Sequence, residues 1–175
     1  MNHNDTIAAI ATAPGEGGIG IIRISGPEAE TILKNVFIRS GKRPEEAWES
    51  HRMAYGYLTD HGRTLDEGMA VIMRGPRSYT REDVAEIQLH GGSWVLQQAL
   101  AICLDRGARL AEPGEFTKRA FLAGRIDLAR AEAVMQLIGA TGEAAARASV
   151  RQLEGGVSGF VKRVSDRLTS VLALL

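Results

Sequence analysis

Three charged side chains, widely separated in the sequence, have the chemistry to hold a ligand. Arg23 stands among isoleucines in IGIIRIS, Glu86 lies in DVAEIQLHGG, and Arg125 lies in GRIDLA. Arginine is almost never buried without an anion beside it, and one carboxylate can accept hydrogen bonds from two adjacent N–H groups. If the three residues converge, they form a cleft in which the carboxylate of Glu86 grips the donor edge of a ligand.

The stretch around Glu86 is predicted to be a strand. From Asp83 onward the residues alternate between apolar and polar, as in a strand with one buried face. The apolar face carries Ala85, Ile87 and Leu89, and the polar face carries Glu86, Gln88 and His90. Two glycines then allow a close turn, after which Ser93 is predicted to cap a helix. The polar face is either the floor of a cleft or the solvated side of an ordinary sheet.

Each arginine also has an ordinary explanation. Arg23 interrupts a short run of β-branched residues that predicts a strand over Ile19–Ser25, and there it could pair with a carboxylate of the core. Arg125 precedes a helix that Asp127 is predicted to cap, so it could simply face solvent. The pattern alone leaves both alternatives open.

Glycines 15, 17 and 20 match the G-x-G-x-x-G pattern of dinucleotide-binding loops. Such a loop has to open a helix, whereas the isoleucines that follow these glycines favour a strand. We therefore interpret the glycines as a tight connection between two strands, Asp5–Thr12 and Ile19–Ser25, and not as a cofactor-binding loop.

The remaining elements predict an α+β fold in the first two thirds of the chain. Strands are expected at His51–Leu58 and Gly68–Met73, joined by a turn at 60–62. A helix is expected after the cap sequence Ser25-Gly26-Pro27-Glu28, and a second one over Ser93–Asp105. These helices are expected to cover the sheet.

The last third is predicted to be entirely helical. Pro113-Gly114 breaks the chain, and nearly every residue from Glu115 onward favours a helix, with an interruption expected at Gly155-Gly156. The buried side of the middle helix is predicted to consist of Leu128, Ala131, Val134, Met135 and Ile138. We therefore expect two domains, residues 1–117 and 118–175.

Composition indicates an ordinary globular chain of 175 residues with a formal net charge of zero. Apolar runs fall short of a membrane span and the N-terminus lacks the features of a signal peptide, so a cytoplasmic location and no membrane partner are expected. The only cysteine, Cys103, lies among apolar residues of a predicted helix and is expected to be buried and unreactive. The last helix ends abruptly in SVLALL, which we interpret as part of a longer protein.

Three stretches together carry a resemblance to a known family: DTIAAIATAPGEGGIGIIRISG, PRSYTREDVAEIQLHGG and PGEFTKRAFLAGRIDLARAEAVMQLIGA. They resemble the N-terminal folate-binding domain, and the first part of the helical domain, of the tRNA modification GTPase family known as MnmE or TrmE. The resemblance extends over essentially the whole chain.

This resemblance implies an N-terminal mixed sheet with covering helices, similar to the folate domain of aminomethyltransferases, and homodimerisation through that domain. It also implies a 5-formyl-tetrahydrofolate site formed by Arg23, Glu86 and Arg125, with no catalytic residue and no metal ligand in this part of the protein. Two positions depart from the family pattern. Ala123 stands where many relatives have asparagine, and Arg125 where others have lysine, which alters the donor geometry.

For the complete protein, the resemblance implies GTP hydrolysis and modification at C5 of the wobble uridine, U34, of certain tRNAs, together with the flavoprotein MnmG. GTP, Mg²⁺ and K⁺ are expected only for a G domain, because no G-x-x-x-x-G-K-[ST] occurs in this sequence. Two other functions remain open: a free-standing folate-dependent protein of the aminomethyltransferase type, and a dimerisation scaffold with a vestigial pocket.

RNA contact through the helical part is a further alternative. Its cations are Lys118, Arg119, Arg147, Arg151, Lys162 and Arg163. Acids are interspersed among them and no aromatic stacking residues accompany them, which is more typical of a solvated helix face.

Overall fold

Apolar residues at every second position build the sheet of the first unit of the chain. In the computed structural model, which describes residues 5–43 and 46–172, seven strands form one mixed sheet. The strands are β1 (Ile7–Ile10), β2 (Gly17–Ser25), β3 (Phe37–Arg39), β4 (Ala54–Asp60), β5 (Arg63–Met73), β6 (Val84–Gly91) and β7 (Arg109–Leu110). Their order is β3-β4-β5-β6-β2-β1-β7, and all neighbours are antiparallel except β1 and β7.

Two helices cover the apolar face of this sheet, α1 (Ala29–Val36) and α2 (Ser93–Asp105). Ile22 of β2 and Ile87 of β6 are directly paired and fully buried, and they belong to the same core as Leu33 of α1 and Ala99 of α2. The opposite face of β2 and β6 is left without a covering helix of this pair, and it carries the polar residues of both strands.

A strand follows the first glycine, as predicted, but it begins at Gly17 instead of Ile19, so part of the predicted connection belongs to β2. Gly17 and Gly20 lie within β2, opposite Gly91 and Leu89 of β6. At Gly20 a β-carbon would come within 2.4 Å of the side chain of Leu96. The glycine there allows Leu96 of α2 to pack closely on the sheet.

The cap predicted at Ser93 is wrong, whereas α1 begins directly after the predicted cap sequence. The residue that precedes α2 is Gly92, and Ser93 is the first residue of the helix itself. Glu28 stands at the cap position of α1 without a side-chain cap bond. The hydroxyl of Ser25, which precedes it, lies 2.7 Å from both Thr80 Oγ1 and Glu82 Oε2. Tertiary partners here replace the local backbone partner that the sequence suggested.

The predicted hairpin is confirmed, but its strands are shifted. Strand β4 begins at Ala54 instead of His51, and β5 begins at Arg63 instead of Gly68, so β5 is five residues longer than expected. His61 and Gly62 form the turn, both with positive φ angles. Two short edge strands, β3 and β7, were not predicted.

Helices make up the rest of the described chain. They are α3 (Glu115–Leu122), α4 (Leu128–Ile138), α5 (Glu143–Leu153) and α6 (Gly156–Leu172). Contacts divide the chain into two compact units between Phe116 and Thr117. The predicted domain limits stay a prediction, since contacts do not test independent folding. No helix within the described residues is both long enough and apolar enough to traverse a bilayer.

Within the second unit, Asp127 caps α4 as predicted, accepting a hydrogen bond of 2.9 Å from the backbone N–H of Arg130. The interruption before α6 is also present, with Gly155 at a φ of 90°. In the last helix, the side chains of Val157, Lys162 and Val171 and the residues 173–175 lie outside the described part of the chain.

The predicted buried side of α4 is largely wrong. Leu128, Met135 and Ile138 are exposed by 59%, 62% and 77%, whereas Ala133 is fully buried. Helix α4 packs against α5, and Gln152 Nε2 donates to the carbonyl of Ala129 at 2.7 Å. The buried residues of the two helices, Ala133 and Ser149, are both small. A larger side chain at that contact would separate the helices.

Candidate ligand-binding site

Arg23 and Glu86 lie side by side on the face of the sheet opposite α1 and α2. They are directly opposite each other on β2 and β6, although 63 residues separate them in sequence. Arg23 Nε donates to Glu86 Oε1 at 2.7 Å, and the two side chains are 30% and 16% exposed. Strand pairing therefore brings together two of the three predicted site residues, as an ion pair.

This ion pair uses only part of its hydrogen-bonding capacity. One guanidinium nitrogen and one carboxylate oxygen are engaged, and within the described part of the chain Arg23 Nη1, Arg23 Nη2 and Glu86 Oε2 make no hydrogen bond. A guanidinium has five N–H donors and a carboxylate has about four acceptor sites. Donors and an acceptor therefore remain available side by side for a ligand.

Two aromatic rings flank the guanidinium of Arg23. Its central carbon lies 5.7 Å from the ring centroid of Tyr79, in the loop before β6, and 5.6 Å from that of Phe116, near the start of α3. Both distances fit cation–π attraction. The position of Phe116 beside Arg23 was not predicted, because nothing local in the sequence relates the two residues.

The polar face continues along β6 from Glu86 to Gln88 and His90. The side chain of Gln88 makes no hydrogen bond within the described residues. His90 is held twice by Asp66 of β5. Its backbone N–H donates to Oδ2 at 2.9 Å, and its ring Nδ1 lies 2.7 Å from Oδ1. The hydrogen bond from the ring and the negative charge of Asp66 raise the pKa of His90 above its ordinary value.

A cavity of about 170 Å³ opens beside these residues. Its walls are Gly18, Ile19, Glu67, Gly68, Met69, Gln88, Leu89 and His90. Met69 and Ile21 are the neighbours of Gln88 across β5 and β2, just as Val71 and Arg23 are the neighbours of Glu86. The cavity therefore begins one side chain along the same face from the Arg23–Glu86 pair.

Arg125 belongs to the second unit. It lies in the loop between α3 and α4, its side chain is exposed, and its backbone N–H donates to the carbonyl of Ala120 at 2.9 Å. Strand pairing thus makes Arg23 and Glu86 neighbours, and the assignment of Arg23, Glu86 and Arg125 to one ligand site stays a prediction.

Two further expectations concern reactive groups. No cluster of three or more His, Cys, Asp or Glu side chains that could hold a metal occurs among residues 5–43 and 46–172. Cys103 is fully buried in α2, and desolvation raises the pKa of its thiol to about 12. The predicted burial of Cys103 is confirmed, and its lack of reactivity stays a prediction.

Comparison with known proteins identifies what the chain is similar to. The family described as GTP-binding protein TrmE N-terminus matches residues 6–125, a range that includes all three predicted site residues. Three curated relatives carry the description tRNA modification GTPase MnmE. The protein of Geobacter sulfurreducens is 53% identical over 177 aligned positions, covering 100% of this chain and 38% of the relative.

The two other relatives are similar over nearly the same range. That of Synechococcus elongatus is 49% identical over 173 positions, covering 97% of this chain and 37% of the relative. That of Listeria innocua is 48% identical over 169 positions, covering 97% and 36%. The chain thus spans a little over a third of the length of these relatives.

Proposed function

The chain belongs to the family of GTP-binding protein TrmE N-termini, and from this premise we propose that it binds a reduced folate, 5-formyl-tetrahydrofolate, at the Arg23–Glu86 pair. The observation that carries the proposal is the incomplete pairing of these two residues. A salt bridge with a purely structural role gains by using both carboxylate oxygens, whereas this one leaves Oε2 and two amino groups unused.

The unused groups match one edge of a pterin ring. That edge presents two neighbouring N–H donors and, beside them, a carbonyl oxygen. The carboxylate of Glu86 would accept from the donors, and a terminal amino group of Arg23 would donate to the carbonyl. Because Arg23 and Glu86 are in contact, both would bind this same edge of the ligand. Arg23 would then not bind the glutamate tail at the other end of the folate.

The surroundings favour a preorganised site. Tyr79 and Phe116 flank the guanidinium of Arg23, and the neighbouring strands hold the backbones of Arg23 and Glu86 in register. A site whose side chains are already oriented loses less conformational entropy on binding. When bound, the folate supplies a one-carbon unit. The residues of this chain bind and orient it, and no catalytic residue is assigned to them.

For the complete protein we propose the role that its relatives' names describe, tRNA modification coupled to a GTPase. Residues 1–117 would form a homodimer, and the complete protein would act with the flavoprotein MnmG at C5 of the wobble uridine of tRNA. GTP hydrolysis, with its Mg²⁺ and K⁺, would belong to a G domain outside the sequence described here. Sedimentation of the chain at several concentrations tests the dimer, and a constant monomer mass would contradict it.

Calorimetric titration with 5-formyl-tetrahydrofolate tests the binding site. The wild-type chain is expected to bind, and Glu86→Gln, which keeps the shape but removes the anionic acceptor, is expected to lose at least tenfold in affinity. Glu49→Gln is the matched control, since Glu49 forms an exposed ion pair with Arg52 in the segment before β4. Absence of binding by the wild type, or equal affinities of both variants, would refute the proposal.

A further inference from the structure

The polar face of β6 extends well beyond the Arg23–Glu86 pair. On the premise of the proposed folate site, we propose that the cavity beside Gln88 and His90 binds the aryl-amide arm of the same ligand, with the ring of His90 donating a hydrogen bond to the amide carbonyl. This assigns Gln88 and His90 as residues that select ligands with an arm over the bare ring system.

Position along the strand supports this assignment. Glu86, Gln88 and His90 point to the same side of β6, and four residues of a strand span about 13 Å at roughly 3.3 Å per residue. A reduced folate consists of a bicyclic ring, a para-aminobenzoyl ring and an amide in a row. With the bicyclic ring at Glu86, an extended arm that follows the strand reaches His90.

The size and lining of the cavity fit one part of a ligand. Its volume of about 170 Å³ is below the roughly 300–1,000 Å³ of pockets that enclose a whole drug-sized molecule. Ile19 and Met69 provide apolar walls, and the amide of Gln88 provides a polar group without a partner in the described chain. An aromatic ring with an attached amide matches this combination.

His90 is oriented before any ligand arrives. Asp66 holds both its backbone N–H and its ring Nδ1. Since an ionised carboxylate only accepts hydrogen bonds, Nδ1 carries a hydrogen, and protonation of the ring then gives Nε2 a hydrogen as well. The proton at Nε2 is the donor proposed for the carbonyl oxygen of the arm.

Charge distinguishes the neutral arm from the anionic tail of a folate. The groups around the imidazole are two acids of β5, Asp66 and Glu67, and Glu67 also accepts a hydrogen bond of 2.9 Å from the hydroxyl of Tyr55 on β4. One imidazolium beside two carboxylates does not favour a further anion. The cavity therefore suits the neutral amide, and the glutamate carboxylates would lie outside it.

Binding of three ligands to the chain tests this inference. The ligands are 5-formyl-tetrahydrofolate, its diglutamate form, and 6-methyl-tetrahydropterin, which has the ring system without the arm. His90→Asn retains a donor for Asp66 at the position of Nδ1 and removes Nε2. We expect this variant to bind both folates about tenfold more weakly than wild type, as for loss of one charge-assisted hydrogen bond, and to bind the pterin unchanged.

Two further variants separate binding from folding. His61→Asn is the matched control, since His61 lies in the exposed β4–β5 turn, and it should bind all three ligands like wild type. Gln88→Ala breaks no hydrogen bond of the described chain, and it should lower the affinity for the two folates a few-fold while leaving that for the pterin unchanged. It gives a second test if His90→Asn is unstable.

The outcomes distinguish this inference from the proposed function. The inference fails, and the proposed function stands, if wild type binds 5-formyl-tetrahydrofolate and both His90→Asn and Gln88→Ala bind it equally well. The same holds if the variants lose as much affinity for the pterin as for the folates. A loss of affinity in His90→Asn that is larger for the diglutamate form than for 5-formyl-tetrahydrofolate also overturns the inference, because such a loss would indicate that His90 binds an anion. If wild type binds none of the ligands, the proposed function itself fails.

Discussion

Glu30 of α1 and Arg74, just after β5, form a two-point ion pair, with Arg74 Nε and Nη2 each 2.8 Å from a different carboxylate oxygen. Lys34 and the carbonyl of Trp48 add further partners at 2.8 and 2.9 Å. The Arg23–Glu86 pair of the same sheet uses a single contact. The Glu30–Arg74 pair, whose carboxylate oxygens are both engaged, is suited to hold α1 against the sheet. The Arg23–Glu86 pair, which keeps unused donors and an acceptor, is suited to bind a ligand.

Glu30→Gln is therefore expected to reduce the free energy of unfolding by about 2 kcal/mol, because it removes a hydrogen-bonded charge from a partly buried network. Urea unfolding at pH 7 measures this. Glu49→Gln is the control, because its exposed partner Arg52 should contribute less than about 1 kcal/mol. Equal losses for the two variants would mean that the two-point geometry adds nothing.

The same pair predicts a dependence of stability on pH. The hydrogen bond from Arg74 is the main reason why the pKa of Glu30 falls to about 2 from an ordinary value of 4.5. A carboxyl whose pKa is lower in the folded state stabilises the fold above its unfolded pKa, and that contribution disappears as the pH falls. The stability difference between wild type and Glu30→Gln should thus shrink from pH 4.5 towards pH 2. A constant difference over this range would contradict it.

His90 is expected to titrate above the ordinary histidine value, because Asp66 accepts its ring hydrogen bond and attracts its charge. A group whose pKa is raised on folding stabilises the fold below its unfolded pKa, and the contribution is lost as the pH rises through the folded pKa. NMR titration of the ring measures this directly. Asp66→Asn should move the pKa of His90 down, and an unchanged value would show that Glu67 or other charges set it.

Arg125→Ala is expected to weaken binding of 5-formyl-tetrahydrofolate about tenfold. Arg125→Lys should retain most of the affinity, because lysine keeps the positive charge while it changes the donor geometry. Calorimetric titration of both variants tests the prediction. Arg147→Ala, at an exposed position of α5 paired with Glu143, is the control. Wild-type affinity for Arg125→Ala would remove Arg125 from the site.

Cys103 should not react with a thiol reagent such as DTNB in the folded chain at pH 8. Its thiol is fully buried in α2 and desolvation raises its pKa to about 12, so the reactive thiolate is scarce and inaccessible. Reaction should follow unfolding in urea, which serves as the positive control. Rapid reaction under native conditions would mean that α2 opens locally.

Patterns with a short period could be recognised in the sequence. Alternation along β6 correctly assigned Ala85, Ile87 and Leu89 to the core and left Glu86 on the other face. The isoleucines after Gly20 correctly indicated a strand, and Asp127 correctly marked the start of α4. These features depend on residues within a few positions of each other, so the local sequence contains them.

Other features depend on residues that are distant in sequence, and local patterns could not decide them. Alternation placed Arg23 and Glu86 on strand faces, but only the register of β2 on β6 made them neighbours. The ring of Phe116 beside Arg23 and the carboxylate of Asp66 beside His90 likewise had no signal in their own segments.

Packing also decided which face of α4 is buried. Its large apolar residues predicted one side, but the buried residue of α4 is the small Ala133, and close approach of two helices favours small side chains. The sequence by itself thus determined the elements and the chemistry available on their faces. The tertiary structure alone decided which of those groups meet, because strand register and helix contacts join segments that no local period relates.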